Sequence, residues 1–245
     1  MAPGQSARRL DDPDLIRQEY ERPKRLAERM RVTRQETDGG SPVQAVIDAV
    51  LERAPRTVLD IGCGNGALAA ELAVSGPTVV AVDLSEAMVS LARTRGVDAR
   101  VADIQDLPFP AASFDCVVAA WMLYHASDLD RAIAETTRVL TPTGRLVTGT
   151  LSSRHMQELW DAMDFPPAAP ITFSTENGHT VLAPHFDTVT QRRIEGKVSF
   201  ATREEVRDYV ASTIRRAHLV ECVPAELGAM SAVSRHSVFT CDGPR

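Results

Sequence analysis

The sequence is poor in cysteine and has no closely spaced cysteine pair. Its four cysteines, Cys63, Cys116, Cys222 and Cys241, are scattered over 245 residues. Without a C-x-x-C pair, neither a zinc site nor a disulfide framework is favoured. We therefore expect reduced thiols, at least three of them packing residues, and no bound metal.

Long apolar runs and an excess of positive charge are also missing. No run approaches the roughly 20 apolar residues that a membrane-spanning helix needs, and residues 1–12 are polar. The 27 basic residues are outnumbered by 33 acidic ones, giving a net charge of −6, so wholesale nucleic-acid binding has no electrostatic support. We expect a soluble, cytoplasmic protein, monomer or homodimer, without nucleic-acid or membrane partners.

What the sequence does have is a short apolar run followed at once by glycines. Residues 57–61 are largely apolar and β-branched at three positions, which predicts a buried strand. Gly62, Gly64 and Gly66 follow in a G-x-G-x-G spacing. Residues 67–73 then have strong helix-forming composition. This strand, turn and helix form a loop in which the backbone can closely approach a ligand.

The usual ligand of such a loop is a pyrophosphate at the helix N-terminus. Two features argue against it. The spacing is not G-x-G-x-x-G, and Asp60 places a carboxylate at the mouth of the strand. Because a carboxylate repels phosphate and attracts a cation, the predicted ligand is positively charged and carries no phosphate.

Two further predicted strands, 78–83 and 98–102, also lead into acids, Asp83 and Asp103. Ligands of open parallel sheets bind outside the carboxyl ends of the strands, so these acids and Asp60 should face one crevice. Asp83 lies 21 residues after Gly62, the separation at which a carboxylate meets a ribose diol.

The remaining pattern alternates strands and helices. Later strands are predicted at 115–120, 145–150, 188–200 and 237–241. An amphipathic helix over 43–51 precedes the glycine loop, and others follow the strands. Ser85, and then Ser127 or Asp128, are expected to cap two of these helices, and a further helix is expected to start at Ser152 or Ser153. His236 is expected to be a surface or strand residue. This order predicts an α/β fold with a doubly wound, mostly parallel sheet.

The residues from Val58 to Gly66 resemble motif I of the class I S-adenosylmethionine-dependent methyltransferases, in particular the small-molecule, UbiE-like members. The resemblance extends from about Val43 to Thr150 and more loosely to the C-terminus. It implies a seven-stranded Rossmann-like sheet with an antiparallel last strand inserted. It also implies a methyltransferase domain over 42–245, an N-terminal helical lid over 1–41, and an insert at about 151–186 covering the substrate.

The resemblance also implies how S-adenosylmethionine is held. Asp60 serves the methionine ammonium, Asp83 both ribose hydroxyls, and Asp103 with the Ile104 amide the adenine edge. Leu84 and Met88 are expected to flank the adenine ring, and Ala119 or Ala120 to offer a backbone carbonyl to the ammonium. The full set of expected cofactor-binding residues is Asp60, Gly62, Cys63, Gly64, Gly66, Asp83, Leu84, Met88, Asp103, Ile104, Ala119, Ala120 and Tyr20. Tyr20 belongs to the lid interpretation; the alternative for that basic segment is a solvated helical face.

Methyl transfer from a sulfonium mainly requires alignment and exclusion of water. A general base is needed only for a hydroxyl or protonated amine, and His125 is the candidate, with packing as its alternative. The candidate substrate residues are Trp121, Tyr124, His155 and Trp160. Trp160 is equally compatible with a core position at helical spacing.

The predicted function is methylation of O or N of a small molecule, typically a secondary metabolite. The Asn/Asp-Pro-Pro-Tyr/Phe motif of nucleic-acid amino-methylating relatives is replaced by residues 120–123, Ala-Trp-Met-Leu. Two alternatives stay open. One is a catalytically silent cofactor-binding protein acting as partner or regulator. The other is an NAD(P)-dependent oxidoreductase, which Asp60 disfavours.

Overall fold

The computed structural model describes residues 40–165, 171–212 and 216–245. The predicted lid over 1–41, including Tyr20, lies almost entirely outside the described residues. No helix in the described ranges is long and apolar enough to span a bilayer.

Seven strands form a single sheet. Their bounds are β1 Thr57–Ile61, β2 Thr78–Asp83, β3 Asp98–Val101, β4 Phe114–Ala120, β5 Leu140–Leu151, β6 Phe186–Phe200 and β7 Met230–Pro244. The α-helices are α1 Pro42–Leu51, α2 Ala67–Val74, α3 Glu86–Thr94, α4 Leu129–Val139, α5 Gln157–Ala162, α6 Gly178–Leu182 and α7 Arg203–Ala211. Two 3₁₀ turns cover Leu123–His125 and Ala217–Cys222.

The strand order is β3-β2-β1-β4-β5-β7-β6. Strands β1 to β5 pair in parallel, and β7 is inserted antiparallel between β5 and β6. This confirms the predicted mostly parallel, seven-stranded sheet. The strand order reverses at β1, because β2 and β3 lie on one side of it and β4 and β5 on the other. The carboxyl end of β1 therefore lies beside the crevice where ligands of such sheets bind.

The local signals of the sequence account for the helix starts near the site. Ser41 caps α1 by accepting a hydrogen bond from Gln44 N, and Ser85 caps α3 from Met88 N. Asp128 caps α4 by accepting from Arg131 N. Each side-chain oxygen satisfies one of the amides that the first helical turn leaves unpaired.

Two apolar clusters cover the faces of the sheet, and a third packs α5 and α7 onto the β6–β7 end. Two local predictions were wrong. The helix predicted to start at Ser152 or Ser153 begins at Gln157, after Met156 in a left-handed conformation (φ 58°). The final strand is 15 residues long rather than the five predicted at 237–241, because it pairs with β6 over its whole length.

Candidate cofactor site

The glycine loop is folded back against β2. The amides of Gly62 and Cys63 both donate to the Val82 carbonyl, at 2.8 and 3.0 Å. Gly62 has φ +69°, and a Cβ there would lie 2.7 Å from Cβ of Met122. Gly66 has φ +74°, and its Cβ would lie 2.6 Å from Cβ of Ala92 on α3. Glycine is therefore required at both positions by conformation and by space.

Asp83, at the end of β2, ties the loop to the start of α3. Its Oδ2 accepts from Gly64 N at 2.9 Å and its Oδ1 from Ser85 N at 2.9 Å. Burial raises the pKa of Asp83, and the backbone amides of Ser85, Gly64 and Leu84 partly offset the shift. A carboxylate has about four lone-pair sites, so acceptor capacity is left for a ligand's hydroxyl groups.

Asp60, at the end of β1, is the least satisfied polar group of the site. It is 1% exposed, and its Oδ2 has no hydrogen-bond partner among the described residues. Burial, and then the charge of Asp83, raises its pKa to about 8. A buried carboxylate without a partner is costly unless it stays protonated or meets a cation. The site therefore favours a positively charged group next to Asp60.

The third acid, Asp103, lies in the loop after β3. Its Oδ1 accepts from Gln105 N at 2.9 Å, and both oxygens contact Gln105 Nε2. Gln105 Oε1 in turn accepts from Ser127 Oγ and Asp128 N, at 3.0 and 2.9 Å. Gln105 thereby joins the loops after β3 and β4. Sequence reasoning missed it, because its only local signal is its position two residues after Asp103.

The other predicted cofactor residues differ in how much surface they offer. Leu84 is 39% exposed, Ile104 is 6% exposed and Met88 is fully buried. Leu84 is therefore the better placed of the two predicted ring neighbours, since Met88 presents no open surface. Burial, with the charges of Asp60 and Asp83, raises the pKa of the Cys63 thiol. The thiol thus stays protonated, as the packing interpretation requires.

Two alanines end β4 on the other side of the loop. Ala119 is fully buried, and its carbonyl already accepts Thr148 Oγ1 at 2.7 Å. Ala120 is half-buried and pairs with Gly149 of β5. The Ala119 carbonyl is thus already engaged by a side chain of the protein, whereas Ala120 is the more exposed of the two residues.

Directly after β4 the chain makes a strained turn. Trp121 has a left-handed backbone (φ 56°), an outlier for a bulky residue. Its amide donates to Gly149 O at 2.8 Å, and Met122 then lies over Gly62. In the 3₁₀ turn that follows, the rings of Tyr124 and His125 are 4.6 Å apart.

The candidate substrate residues divide into two groups. Trp121, Tyr124 and His125 lie at the carboxyl end of β4, beside the glycine loop. Trp160 is 7% exposed in the apolar cluster of α5 and α7, the packing position that its helical spacing also allowed. His155 Nδ1 accepts from Arg235 N at 3.1 Å, and burial, with neighbouring positive groups, holds its pKa well below the ordinary range. The catalytic and substrate roles stay predictions.

The donor set fits S-adenosylmethionine. Asp60 supplies a carboxylate oxygen that has no partner among the described residues and can face a cation, and Asp83 supplies acceptors for a diol. Among the residues described, no group of three or more His, Cys, Asp or Glu could hold a metal ion.

Comparison with known proteins agrees with this geometry. Residues 59–148 match the family described as Methyltransferase domain. An uncharacterised methyltransferase of Mycobacterium tuberculosis is 36% identical over 121 residues, covering 47% of this chain and 61% of the relative. A ubiquinone/menaquinone biosynthesis C-methyltransferase of Pseudomonas putida is 39% identical over 127 residues, covering 46% of this chain and 50% of the relative.

The chain thus spans about half to three fifths of the length of these curated relatives. The crystal structure of the YcgJ protein from Bacillus subtilis superposes with a TM-score of 0.62 at 17% identity, covering 83% of this chain and 98% of that one. At that identity the likeness shows the fold alone. Together, the sheet, the glycine loop with its acids and the match over residues 59–148 show that the chain contains a methyltransferase domain with the fold of the class I, S-adenosylmethionine-dependent type.

Proposed function

We propose that this protein transfers a methyl group from S-adenosylmethionine to an oxygen or nitrogen atom of a small molecule, of the kind made in secondary metabolism. The observation that carries the proposal is the buried Asp60 Oδ2, which has no partner among the described residues and lies near the carboxyl end of β1, next to the glycine loop. A site built for a pyrophosphate would not place an unpaired carboxylate there.

The chain's own residues have three tasks in this proposal. Asp60 balances the ammonium of the methionine part, Asp83 accepts from the ribose hydroxyls, and Asp103 with the Ile104 amide reads the adenine edge. When bound, S-adenosylmethionine supplies an electrophilic methyl group on a sulfonium centre. Most of the rate enhancement then comes from holding the acceptor in line and excluding water.

His125 is the proposed base. It lies one 3₁₀ turn beyond β4, with its amide bonded to Met122 O at 2.8 Å. A proton from a hydroxyl or protonated amine would pass to an imidazole nitrogen of His125. Tyr124 packs against it, and Trp121 supplies an aromatic wall.

The segment after β5 is the proposed cover of the acceptor. Glu176 accepts from Ser152 Oγ at 2.6 Å and from Ser153 N at 3.1 Å. Thr150 Oγ1 donates to Phe173 O at 2.8 Å. These bonds hold the described part of the insert against the carboxyl end of β5, the edge where an acceptor would enter.

A carbon acceptor is a second candidate, because the Pseudomonas putida relative is named a C-methyltransferase. An electron-rich ring carbon needs the same alignment. The substrate that carries this carbon would be a planar, quinol-like compound rather than an amine.

The test is turnover of methyl-labelled S-adenosylmethionine against a panel of catechols, quinols, phenols and amines, followed as formation of S-adenosylhomocysteine. We expect labelled product with at least one class, and product NMR then assigns the methylated atom. Tight binding of S-adenosylhomocysteine with no turnover of any acceptor would instead favour a cofactor-binding partner or regulator.

A further inference from the structure

A pair of histidines lies beside the Trp121 indole: His236 on β7 and His155 in the turn after β5. His236 is on β7, opposite Leu151 at the end of β5, and is 5% exposed. Its Nδ1 accepts from Trp121 Nε1 at 3.1 Å. The ring of His155 packs edge-on against it, with centroids 5.1 Å apart. His236 was expected from sequence to be a surface or strand residue; it lies on a strand and is buried.

Three contacts together seat the Trp121 indole. The backbone amide bonds Gly149, the ring lies so close to Gly149 that a Cβ there would come within 3.2 Å of it, and the indole N–H is bonded by His236. A left-handed backbone at a bulky residue costs on the order of 1–3 kcal/mol. Such strain persists only where surrounding contacts hold it, so these three contacts determine where the indole lies.

These three contacts also place the indole on one side of the site. The acids that face the cofactor end β1 and β2 or follow β3, whereas Trp121 lies over Gly149 of β5, on the far side of β4. Trp121 is half-buried, so the residue is not enclosed within the packed interior. That side is left for the methyl acceptor.

We infer that His236 is a positioning residue for the methyl acceptor, because its imidazole holds the Trp121 indole in place as the wall of the acceptor space. The acceptor part of the inference rests on the proposed function. The seating part does not, since it concerns only the bond between the two side chains. An unsatisfied indole N–H at a half-buried position would otherwise favour a rotated ring.

The experiment separates the two parts. The chain has two tryptophans, so a Trp160→Phe background leaves Trp121 as the only emitter. In that background we compare two variants. His236→Leu removes the nitrogen that accepts the indole hydrogen bond, whereas His236→Asn has an Oδ1 that can accept it in place of Nδ1. We expect His236→Leu to shift the emission to the red and to raise acrylamide quenching at least twofold. His236→Asn should remain near the parent.

Steady-state kinetics then tests whether His236 affects the methyl acceptor, with any compound of the panel that the protein methylates. His236→Leu should raise the acceptor KM about fivefold, as expected for one lost hydrogen bond, with the dissociation constant of S-adenosylhomocysteine unchanged. The same substitution in a Trp121→Phe background should have no further effect on KM. Equal emission and quenching in parent and His236→Leu would overturn the inference, as would an equal acceptor KM. If no compound turns over, the proposed function and the acceptor part that rests on it fail together, and emission still decides whether His236 holds the indole.

Discussion

Asp60 is the side chain on which the site's electrostatics depend. It carries a pKa raised to about 8 against an ordinary value of 3.8, so the folded state binds a proton between these values that the unfolded state has lost. Stability should therefore fall as pH rises from about 4 through 8, and the full penalty applies above the folded pKa.

The matched variant is Asp60→Asn, which keeps the shape and cannot ionise. Between pH 5 and pH 9 the parent should lose, relative to Asp60→Asn, about 4 kcal/mol of unfolding free energy. Urea unfolding of both proteins at several pH values measures it. Parallel pH profiles in parent and variant would show that Asp60 keeps an ordinary pKa.

Asp83 makes a second prediction about a single side chain. Asp83→Ala removes the acceptors of two backbone amides and those expected for the ribose, so S-adenosylhomocysteine should bind at least about 100-fold more weakly. Calorimetry measures the affinity. Asp98→Asn is the control, because Asp98 is exposed and forms its ion pair with Arg100, and its affinity should equal that of the parent. A parent-like affinity in Asp83→Ala would remove Asp83 from the site.

The glycine loop, as an element, depends on the close approach of α2 and α3. Gly66→Ala places a methyl group 2.6 Å from Ala92, at φ +74°, whereas Gly96→Ala has a similar φ of +80° and nothing within 4 Å. Gly96→Ala should thus cost about 1 kcal/mol from backbone strain. Gly66→Ala should cost about 1–3 kcal/mol more from overpacking and weaken cofactor binding.

Thermal unfolding and calorimetry of the two variants measure the loss of stability and of cofactor affinity. Gly96→Ala reports backbone strain alone, and Gly66→Ala reports backbone strain together with the steric clash against Ala92. Equal losses of stability in both would mean that Ala92 moves aside without cost and that the loop is not tightly packed.

Local elements were predictable where short-range signals act alone. Strand β1, its glycines and the caps Ser85 and Asp128 follow from neighbours in sequence. The start of α5 did not, because Met156 takes a left-handed conformation while its amide bonds Val233 O, a partner 77 residues away. The Gln105 bridge was missed for the same reason.

For the whole chain, the order of the predicted elements and the family resemblance predicted the sheet. They did not predict the ion pairs and hydrogen bonds that join β5 to β7 and to the end of α1. Arg145 on β5 is 6% exposed; it bonds Asp242 on β7, Glu52 and the Ala49 carbonyl. Such pairings join residues about 90 or more positions apart, and no spacing rule identifies them. Arg145 pairs with Cys116 near the start of β4, away from the carboxyl ends of the strands where the acids lie.

Arg145→Met should therefore lower stability by about 3–5 kcal/mol, because a partly buried Asp242 loses its main partner, and leave cofactor affinity unchanged once the protein is folded. Arg53→Met is the control: Arg53 bonds the same Asp242 but is half exposed, so it should cost at most about 1 kcal/mol. Urea unfolding of both variants measures the loss of unfolding free energy. Equal losses in Arg145→Met and Arg53→Met would mean that the buried Arg145 ion pairs contribute no more to stability than an exposed pair.

The central claim is that the crevice takes a cationic, phosphate-free nucleoside. Its most direct test is thermal unfolding with S-adenosylhomocysteine or with NAD⁺ in parallel. S-adenosylhomocysteine at 100 times its dissociation constant should stabilise the protein by ~2.7 kcal/mol, seen as a raised Tm, while NAD⁺ should leave the Tm unchanged. A Tm raised by NAD⁺ and unmoved by S-adenosylhomocysteine would contradict the account.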